Sequence, residues 1–408
     1  MSKLVIILKE VNMINKLMEH LGKERSAIRE LFEQGKILKE KYGKDSVFDF
    51  SIGNPSIPCP SIVNETLTSL INNKNSIELH GYTQAQGDKS VRDAISSYLN
   101  KTYSANTDGN LIYMTVGAAA GLTISLKGLT DGSGSDEVIV FAPYFPEYSV
   151  FIDNANAKKI SVNANSENLY PDLNDFKNKI TKNTSIVIIN SPNNPTGVLY
   201  NEETIKSICD ILKDKEKEFN HPIYIISDEP YRELIYNNTK YPFITNYYDN
   251  SIITYSFSKS ISLPGERIGY ILVNPKCENA TNVYTAICGA GRSLGFVCAP
   301  TLFQYMIPQV LGYTSDISVY KNNSEIFYNA LTKISYKVIK PDGAFYLFVK
   351  ALEDDDEMFS KKALSYNLLL VPSKSFGISG YVRIAYCVEE KTIVNSIPKF
   401  KELYNSYK

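Results

Sequence analysis

The chain has 408 residues, and 43 basic against 44 acidic side chains leave a formal net charge of −1. That balance, with no long basic block, argues against nucleic-acid binding, which rests on neutralising phosphates. No apolar run approaches the ~20 residues of a membrane-spanning helix. Hydrophobic residues at 43% and charged residues at 21% suit a globular protein with a large core, and roughly 150 residues per domain predicts two to three domains, or one large and one small.

At the N-terminus, the run Leu4–Leu8 is too short for a secretory signal and lacks its cleavage site, so a cytoplasmic location is expected. Helical periodicity starts at Met13. Residues 1–12 are therefore read as an N-terminal extension or a mis-assigned start, and 13–60 as an arm plus part of a small domain. Ile14, Leu17, Met18 and Leu21, then Ile28, Leu31 and Phe32, predict helix over 14–42, ended by Gly43. Phe50–Pro55 reads as a short strand running into a proline-rich loop. Six strand-like runs follow: Leu111–Val116, Val138–Pro143, Ser185–Ser191, Ile223–Ser227, Ile252–Ser256 and Arg267–Val273. Several are almost wholly apolar, as strands covered on both faces are, and their alternation with helical segments predicts an α/β layer with a mainly parallel sheet. Residues 61–304 are assigned to this large domain and 305–408 to a smaller α+β domain. The latter closes on an amphipathic helix through Ile393, Ile397, Phe400 and Tyr404. The acidic run Glu353–Glu357 reads as a solvated turn.

Six cysteines, at 59, 209, 277, 288, 298 and 387, form no C-x-x-C pair and are expected as packed thiols, Cys298 included. The three histidines, His20, His80 and His221, have no metal-ligand spacing, which disfavours zinc chemistry. Arginine occurs only at 25, 29, 92, 232, 267, 292 and 383. Where lysine serves for ordinary charge, an arginine is weighted toward places that need a planar, bidentate fork.

In open α/β sheets the ligand crevice lies beyond the carboxyl ends of the strands. The first run is followed by Gly117-Ala118-Ala119-Ala120-Gly121, small residues that suit either an anion at a helix N-terminus or simple tight packing. The second is followed by Tyr144 and Phe145, an aromatic pair for stacking on a flat ligand or for the core. After the third comes Ser191-Pro192-Asn193-Asn194-Pro195-Thr196-Gly197, either an ordinary turn or a rigid loop that aims an amide. After the fourth comes Asp228-Glu229-Pro230-Tyr231, whose carboxylate at a buried strand end needs a cation or donors unless it caps a helix. After the fifth comes Ser256-Phe257-Ser258-Lys259-Ser260, with Arg267 beyond. A lysine there suits an amine of lowered pKa that attacks carbonyls, though any one lysine is more often a surface residue.

Taken together, these segments resemble the class I/II aminotransferases, the fold-type I pyridoxal-phosphate enzymes, and aspartate aminotransferases in particular. The resemblance runs from Ile52-Gly53-Asn54-Pro55 to Gly380-Tyr381-Val382-Arg383-Ile384-Ala385, and is most specific at 190–197, 227–231 and 256–270. It implies pyridoxal 5′-phosphate carried covalently by Lys259. As a free amine, Lys259 would then move the proton between the substrate Cα and the cofactor C4′. It implies Asp228 against the pyridine nitrogen, Tyr231 and Asn194 on the phenolic oxygen, and Phe145 stacked on the ring, where the family often has a larger aromatic. Arg267, Ser256, Ser258 and the backbone around Gly117, Ala118 and Ala119 would hold the phosphate. Tyr82 would reach a partner subunit's phosphate, making the active unit a homodimer with shared sites. Arg383 would grip the substrate carboxylate beside Gly53. Arg292 would read a distal carboxylate from the neighbouring subunit, which favours aspartate or glutamate, or else form a structural salt bridge; Arg92 and Arg232 are read as structural.

The implied activity is ping-pong transfer of an amino group from an L-amino acid to a 2-oxo acid. A β-lyase or decarboxylase on the same scaffold shares the anchoring residues. A non-catalytic cofactor-binding regulator would need a DNA-binding domain, for which residues 1–50 are too short. A nicotinamide-dependent dehydrogenase would need a glycine fingerprint that is missing.

Overall fold

A computed structural model of the chain describes residues 14–23, 27–237 and 239–408. The expectations for residues 1–12 and Arg25 lie outside the described residues. Residues 14–42 hold two helices, Lys16–Lys23 and Ala27–Tyr42. The strand expected at Phe50–Pro55 lies earlier and is shorter: β1 is Phe48–Asp49, and the prolines and Gly53 that follow carry no ladder.

The Val/Ile-rich runs build one seven-stranded sheet from β2 (Ile112–Thr115), β3 (Glu137–Phe141), β4 (Lys158–Val162), β5 (Thr184–Asn190), β6 (Tyr224–Asp228), β7 (Ser251–Ser256) and β8 (Gly269–Val273), in the order β2-β8-β7-β6-β5-β3-β4. Only β8 runs against its neighbours; the pairs from β7 to β4 are all parallel. Strand β4 was not expected. It is an edge strand beginning Lys158-Lys159, too polar to stand out as an apolar run. Arg267, expected inside the last strand, lies before β8 in a left-handed conformation with φ 52°.

Both faces of this sheet are covered. Val187, Ile189, Ile225 and Ile253 face one core with helices Lys89–Tyr103 and Glu202–Phe219, and the alternate residues Ile186, Ile188, Ile226 and Ile252 face the other side. Local chemistry sets the helix ends. Asn201 accepts from the Thr204 N–H, Glu202 and Glu203 occupy the first turn, and Asn220 closes the helix at φ 58°. Helix Thr301–Val310 inserts Met306, Ile307 and Val310 into the first of these cores, so the chain leaves it beyond residue 305.

A second core lies on a four-stranded antiparallel sheet, β12-β13-β10-β9, formed by β9 (Val338–Ile339), β10 (Tyr346–Lys350), β12 (Val371–Pro372) and β13 (Tyr381–Ala385). The short β11 (Leu368–Leu369) pairs in parallel with β1 and ties the N-terminal segment to this half. The closing helix, Glu390–Asn405, buries Ile393 and Phe400 here. All six cysteines are free thiols. Among the described residues no helix is long and apolar enough to cross a membrane.

The acidic run is not the solvated turn expected. Asp355 caps helix Asp356–Leu364, and Asp356 is buried, accepting from the Lys374 N–H at 2.8 Å, the Ser373 hydroxyl at 3.2 Å and the Gly380 N–H at 3.2 Å. These bonds fix the turn that leads into β13. Asp356→Ala leaves three donors unpaired, and a loss of about 2–3 kcal/mol is expected as a lower denaturant midpoint; an unchanged midpoint would remove the carboxylate as the anchor.

Candidate functional site

The carboxyl ends of β5, β6 and β7 set the site. Register pairs Asn190 with Asp228 and Asp228 with Thr254, so the polar residues that close β5 and β6 lie in one row with Thr254 of β7. Beside that row opens a cavity of about 250 Å³ whose wall includes Gly53, Asn194, Asp228, Tyr231, Lys259 and Arg383, and also Phe145.

Asp228 is buried, and burial pushes its carboxyl up to about 7 against the lowering hydrogen bond from Tyr148. The Tyr148 hydroxyl donates to Oδ2 at 2.6 Å, while Oδ1, equally buried, has no partner. Lys259 sits in the single-turn helix Phe257–Ser260, capped by Ser256, whose Oγ accepts from the Ser258 N–H at 3.2 Å. Its amine donates to the Gly53 carbonyl at 2.7 Å. Burial lowers it to about 8, with the positive charges of Arg383 and Arg267 acting the same way. Tyr231, buried, meets the Tyr346 hydroxyl at 2.9 Å.

Arg383 projects from β13 into the cavity wall with 2% exposure. It donates through Nη1 to Asn194 Oδ1 at 3.0 Å and through Nη2 to the Ser51 carbonyl, and its Nε has no partner. Asn194 is itself fixed, its N–H bonded to Asn190 Oδ1 at 2.8 Å. The Ser191–Gly197 segment is thus the rigid amide-aiming loop, closed by the Asn193 side chain bonding Thr196.

A second cluster lies next to the cavity. Helix Ala118–Leu129 starts at Gly117 (φ +93°) with no side-chain cap on its N–H groups. A Cβ at Gly117 would stand 2.7 Å from Arg267 Nη2, so a side chain there would push the guanidinium aside, and the positive φ itself favours glycine. Arg267 Nη1 approaches the Ser258 hydroxyl at 3.5 Å, and Ser258 meets the Ser256 hydroxyl at 2.7 Å. Uncapped helix N–H groups, two hydroxyls and a guanidinium form a donor set for a dianion.

These residues fit pyridoxal phosphate. A buried carboxylate oxygen without a donor suits a protonated ring nitrogen, a lowered amine suits a carbonyl, and the donor set suits a phosphate. Ala118 is buried and Ala119 exposed at that helix start. Tyr82, at 96% exposure, and Arg292, exposed on the last turn of helix Ala280–Leu294, do not line this cavity. Arg92 is structural, bonding the carbonyls of Gly87 and Gly109. Arg232 is structural too, paired with Glu229 at 2.9 Å and Glu233 at 3.2 Å. Sequence reasoning missed Tyr148, Tyr346 and Ile28 at the site. Tyr148 and Ile28 lie on helices and Tyr346 opens β10, so no strand-end signal marks them. Asn190 had such a signal, a polar residue closing an apolar strand.

Comparison with known proteins agrees with the geometry. A family profile described as "Aminotransferase class I and II" matches residues 45–398. An aspartate aminotransferase of Pyrococcus horikoshii is 29% identical over 93% of this chain and 94% of its own length. The structure of an aminotransferase from Eubacterium rectale superposes with a TM-score of 0.95 at 51% identity, covering 97% of this chain and 99% of that one. The aspartate aminotransferase of Thermotoga maritima gives a TM-score of 0.84 at 27% identity, covering 96% of this chain and 100% of that one. The chain belongs to the class I and II aminotransferases, a family of pyridoxal-phosphate-dependent enzymes.

Proposed function

We propose that this chain moves the amino group of an L-amino acid, aspartate being the favoured donor, to a 2-oxo acid by a ping-pong mechanism, as a cytoplasmic homodimer holding pyridoxal 5′-phosphate in the cavity. The observation that carries the proposal is the meeting of three groups in one cavity wall: the Lys259 amine, the half-partnered Asp228 carboxylate and the Arg383 fork. When bound, pyridoxal phosphate supplies an electron-withdrawing ring that takes up the charge left as the substrate Cα loses its proton.

The chain's own groups divide the remaining work. Asp228 Oδ1 holds a proton on the ring nitrogen, and Tyr148, donating to Oδ2, keeps that carboxylate oriented. Tyr231 and Asn194 bind the phenolic oxygen, and Phe145 covers the ring. Arg267, Ser256, Ser258 and the N–H groups at Gly117, Ala118 and Ala119 grip the phosphate, with Tyr82 lent by the partner subunit. Arg383 and the Gly53 backbone orient the substrate carboxylate so that its Cα–H faces Lys259. Lys259 binds the cofactor through Nζ, takes the Cα proton when free and returns it at C4′. Arg292 of the partner subunit reads the donor's distal carboxylate. In the same proposal the cofactor-binding domain runs from residue 61 through helix Thr301–Val310, and residues 13–60, as an arm and part of the small domain, join the C-terminal residues beyond that helix, which carry Arg383 and move with substrate.

The lowered Lys259 amine has a direct test. In cofactor-free protein, acylation of Lys259 followed by peptide mass spectrometry should climb about tenfold per pH unit and level off near pH 8, whereas exposed lysines keep rising toward 10.5. A Lys259 profile that rises with the others removes this support.

The transfer itself is read from the visible spectrum of the pyridoxal-phosphate-loaded protein. Addition of aspartate should collapse the band and release stoichiometric oxaloacetate. Lys259→Ala should abolish this, and Asp228→Ala should slow it by about 10²–10⁴-fold, the range for a group acting on the reacting centre. Pyruvate and ammonia released, without an oxo acid, from a donor that carries a leaving group on Cβ, such as cysteine with loss of sulfide, would instead assign a lyase. Arg292→Ala should raise the aspartate KM and leave that of an uncharged donor unchanged; equal activity on aspartate would remove Arg292 from the site.

A further inference from the structure

Tyr346, absent from the sequence-derived set, stands where the two halves of the site meet. It is the first residue of β10, with 2% exposure, and it lines the cavity. Register pairs Tyr346 with Ala385 and Phe348 with Arg383, so Tyr346 and Arg383 are diagonal neighbours on one face of the sheet. The Arg383 guanidinium carbon sits 4.7 Å from the centre of the Tyr346 ring and 5.2 Å from that of Phe376. At its other end, the Tyr346 hydroxyl is 2.9 Å from that of Tyr231, and the two rings meet edge to face at 5.8 Å. The hydroxyl also packs on the Gly53 backbone, where a Cβ would collide with it. That same Gly53 holds the Lys259 amine through its carbonyl.

We propose that Tyr346 is a positioning residue with two separable jobs. Its ring seats the Arg383 fork that receives the substrate carboxylate, and its hydroxyl orients the Tyr231 phenol. A Tyr231 that donates its one proton to a ligand oxygen has only acceptor capacity left for Tyr346, so Tyr346 must donate. A phenol that accepts a hydrogen bond is a stronger donor in turn. This rests on the proposed function, because it is the cofactor's phenolic oxygen that Tyr231 would meet. Substrate binding and the electronic state of the bound cofactor then share one support, a side chain contributed by the C-terminal sheet.

Because the two jobs use different parts of one side chain, two substitutions separate them. Tyr346→Phe keeps the ring and removes the hydroxyl, whereas Tyr346→Leu removes both. Each is compared, as the pyridoxal-phosphate-loaded enzyme, with wild type and with Tyr231→Phe. Two quantities are read: the pH at which the visible band titrates without substrate, and the KM for the amino donor. A hydrogen bond to the phenolic oxygen favours its more negative form, so weakening that bond raises the titration midpoint. Tyr231→Phe should raise it by about one pH unit and Tyr346→Phe by about half a unit, the latter with KM within about twofold of wild type. Tyr346→Leu should show the same rise and, with the cation–π seat gone, a KM about fivefold higher.

A Tyr346→Phe titration that coincides with wild type while Tyr231→Phe moves overturns the hydroxyl's job and leaves the proposed function standing. An unchanged KM in a Tyr346→Leu enzyme that still takes up cofactor overturns the ring's job. Should that variant fail to take up cofactor, Tyr346→Phe still decides the hydroxyl, and Tyr346→Met, closer in volume, decides the ring. A wild type with no visible band, or a Tyr231→Phe enzyme that titrates as wild type, overturns the proposed function at this residue and the inference with it.

Discussion

A guanidinium almost out of contact with water has to be met by acceptors, and Arg383 finds them on stretches of chain remote in sequence. One is the Asn194 side chain on the loop after β5, another the Ser51 carbonyl from the N-terminal segment, while Arg383 itself comes from β13. A buried charge without such partners costs several kcal/mol. The large sheet, the N-terminal segment and the C-terminal sheet must therefore meet at this one place for the fold to tolerate Arg383. Much else in the cavity follows from that meeting. Gly53 is two residues from Ser51, and its carbonyl holds Lys259. Asn194 is fixed by Asn190 in the row that also carries Asp228.

Within this frame burial acts in opposite directions on the two titratable groups. It raises the Asp228 carboxyl to about 7 and lowers the Lys259 amine to about 8, because in each case it penalises the charged form. Left to themselves, both groups are poised to lose charge near neutrality. A cation next to Asp228 Oδ1 would reverse the first effect, since an opposite charge favours the carboxylate. The protein thus keeps a carboxylate ready for a cationic partner and an amine ready to be unprotonated, with neither neutralised by the other.

Residues at strand ends were legible because two signals coincide there: an apolar run that must be buried, and a polar residue that burial would otherwise penalise. Asp228, Lys259 and Asn194 all stand in that position, and the large sheet followed from the same runs. Tyr148, Tyr346 and Ile28 carry no such contrast. They are apolar or aromatic residues on elements that need them for packing anyway, and only the tertiary arrangement brings Tyr346 and Ile28 to the cavity and the Tyr148 hydroxyl to Asp228. Edge strand β4 escaped because its outer position tolerates Lys158 and Lys159. Arg267 was placed one element too far along, since a left-handed residue before a strand leaves no mark on hydrophobic pattern. Asp356 was misread for a related reason. Five acidic residues in a row look solvated, and only backbone donors brought in from residues 374 and 380 make one of them internal.

Scarcity of arginine pointed to a short list but could not rank it, and the ranking comes from what each guanidinium meets. Arg232 and Arg383 each have 2% exposure. Arg232 is already neutralised by Glu229 and Glu233, bonds the Tyr270 hydroxyl at 3.0 Å and is surrounded by the rings of Tyr103, Phe243 and Tyr255. Its charge is already balanced, and an arriving carboxylate would compete with two that are already paired. Arg383 has only neutral acceptors, an amide oxygen and a backbone carbonyl, and its Nε has no partner. Burial accordingly pulls its pKa down. A carboxylate reaching Arg383 supplies the first negative charge that guanidinium meets, in surroundings where little water competes. Two arginines that composition cannot tell apart are separated by charge balance, the satisfied one holding the chain together and the unsatisfied one left to bind.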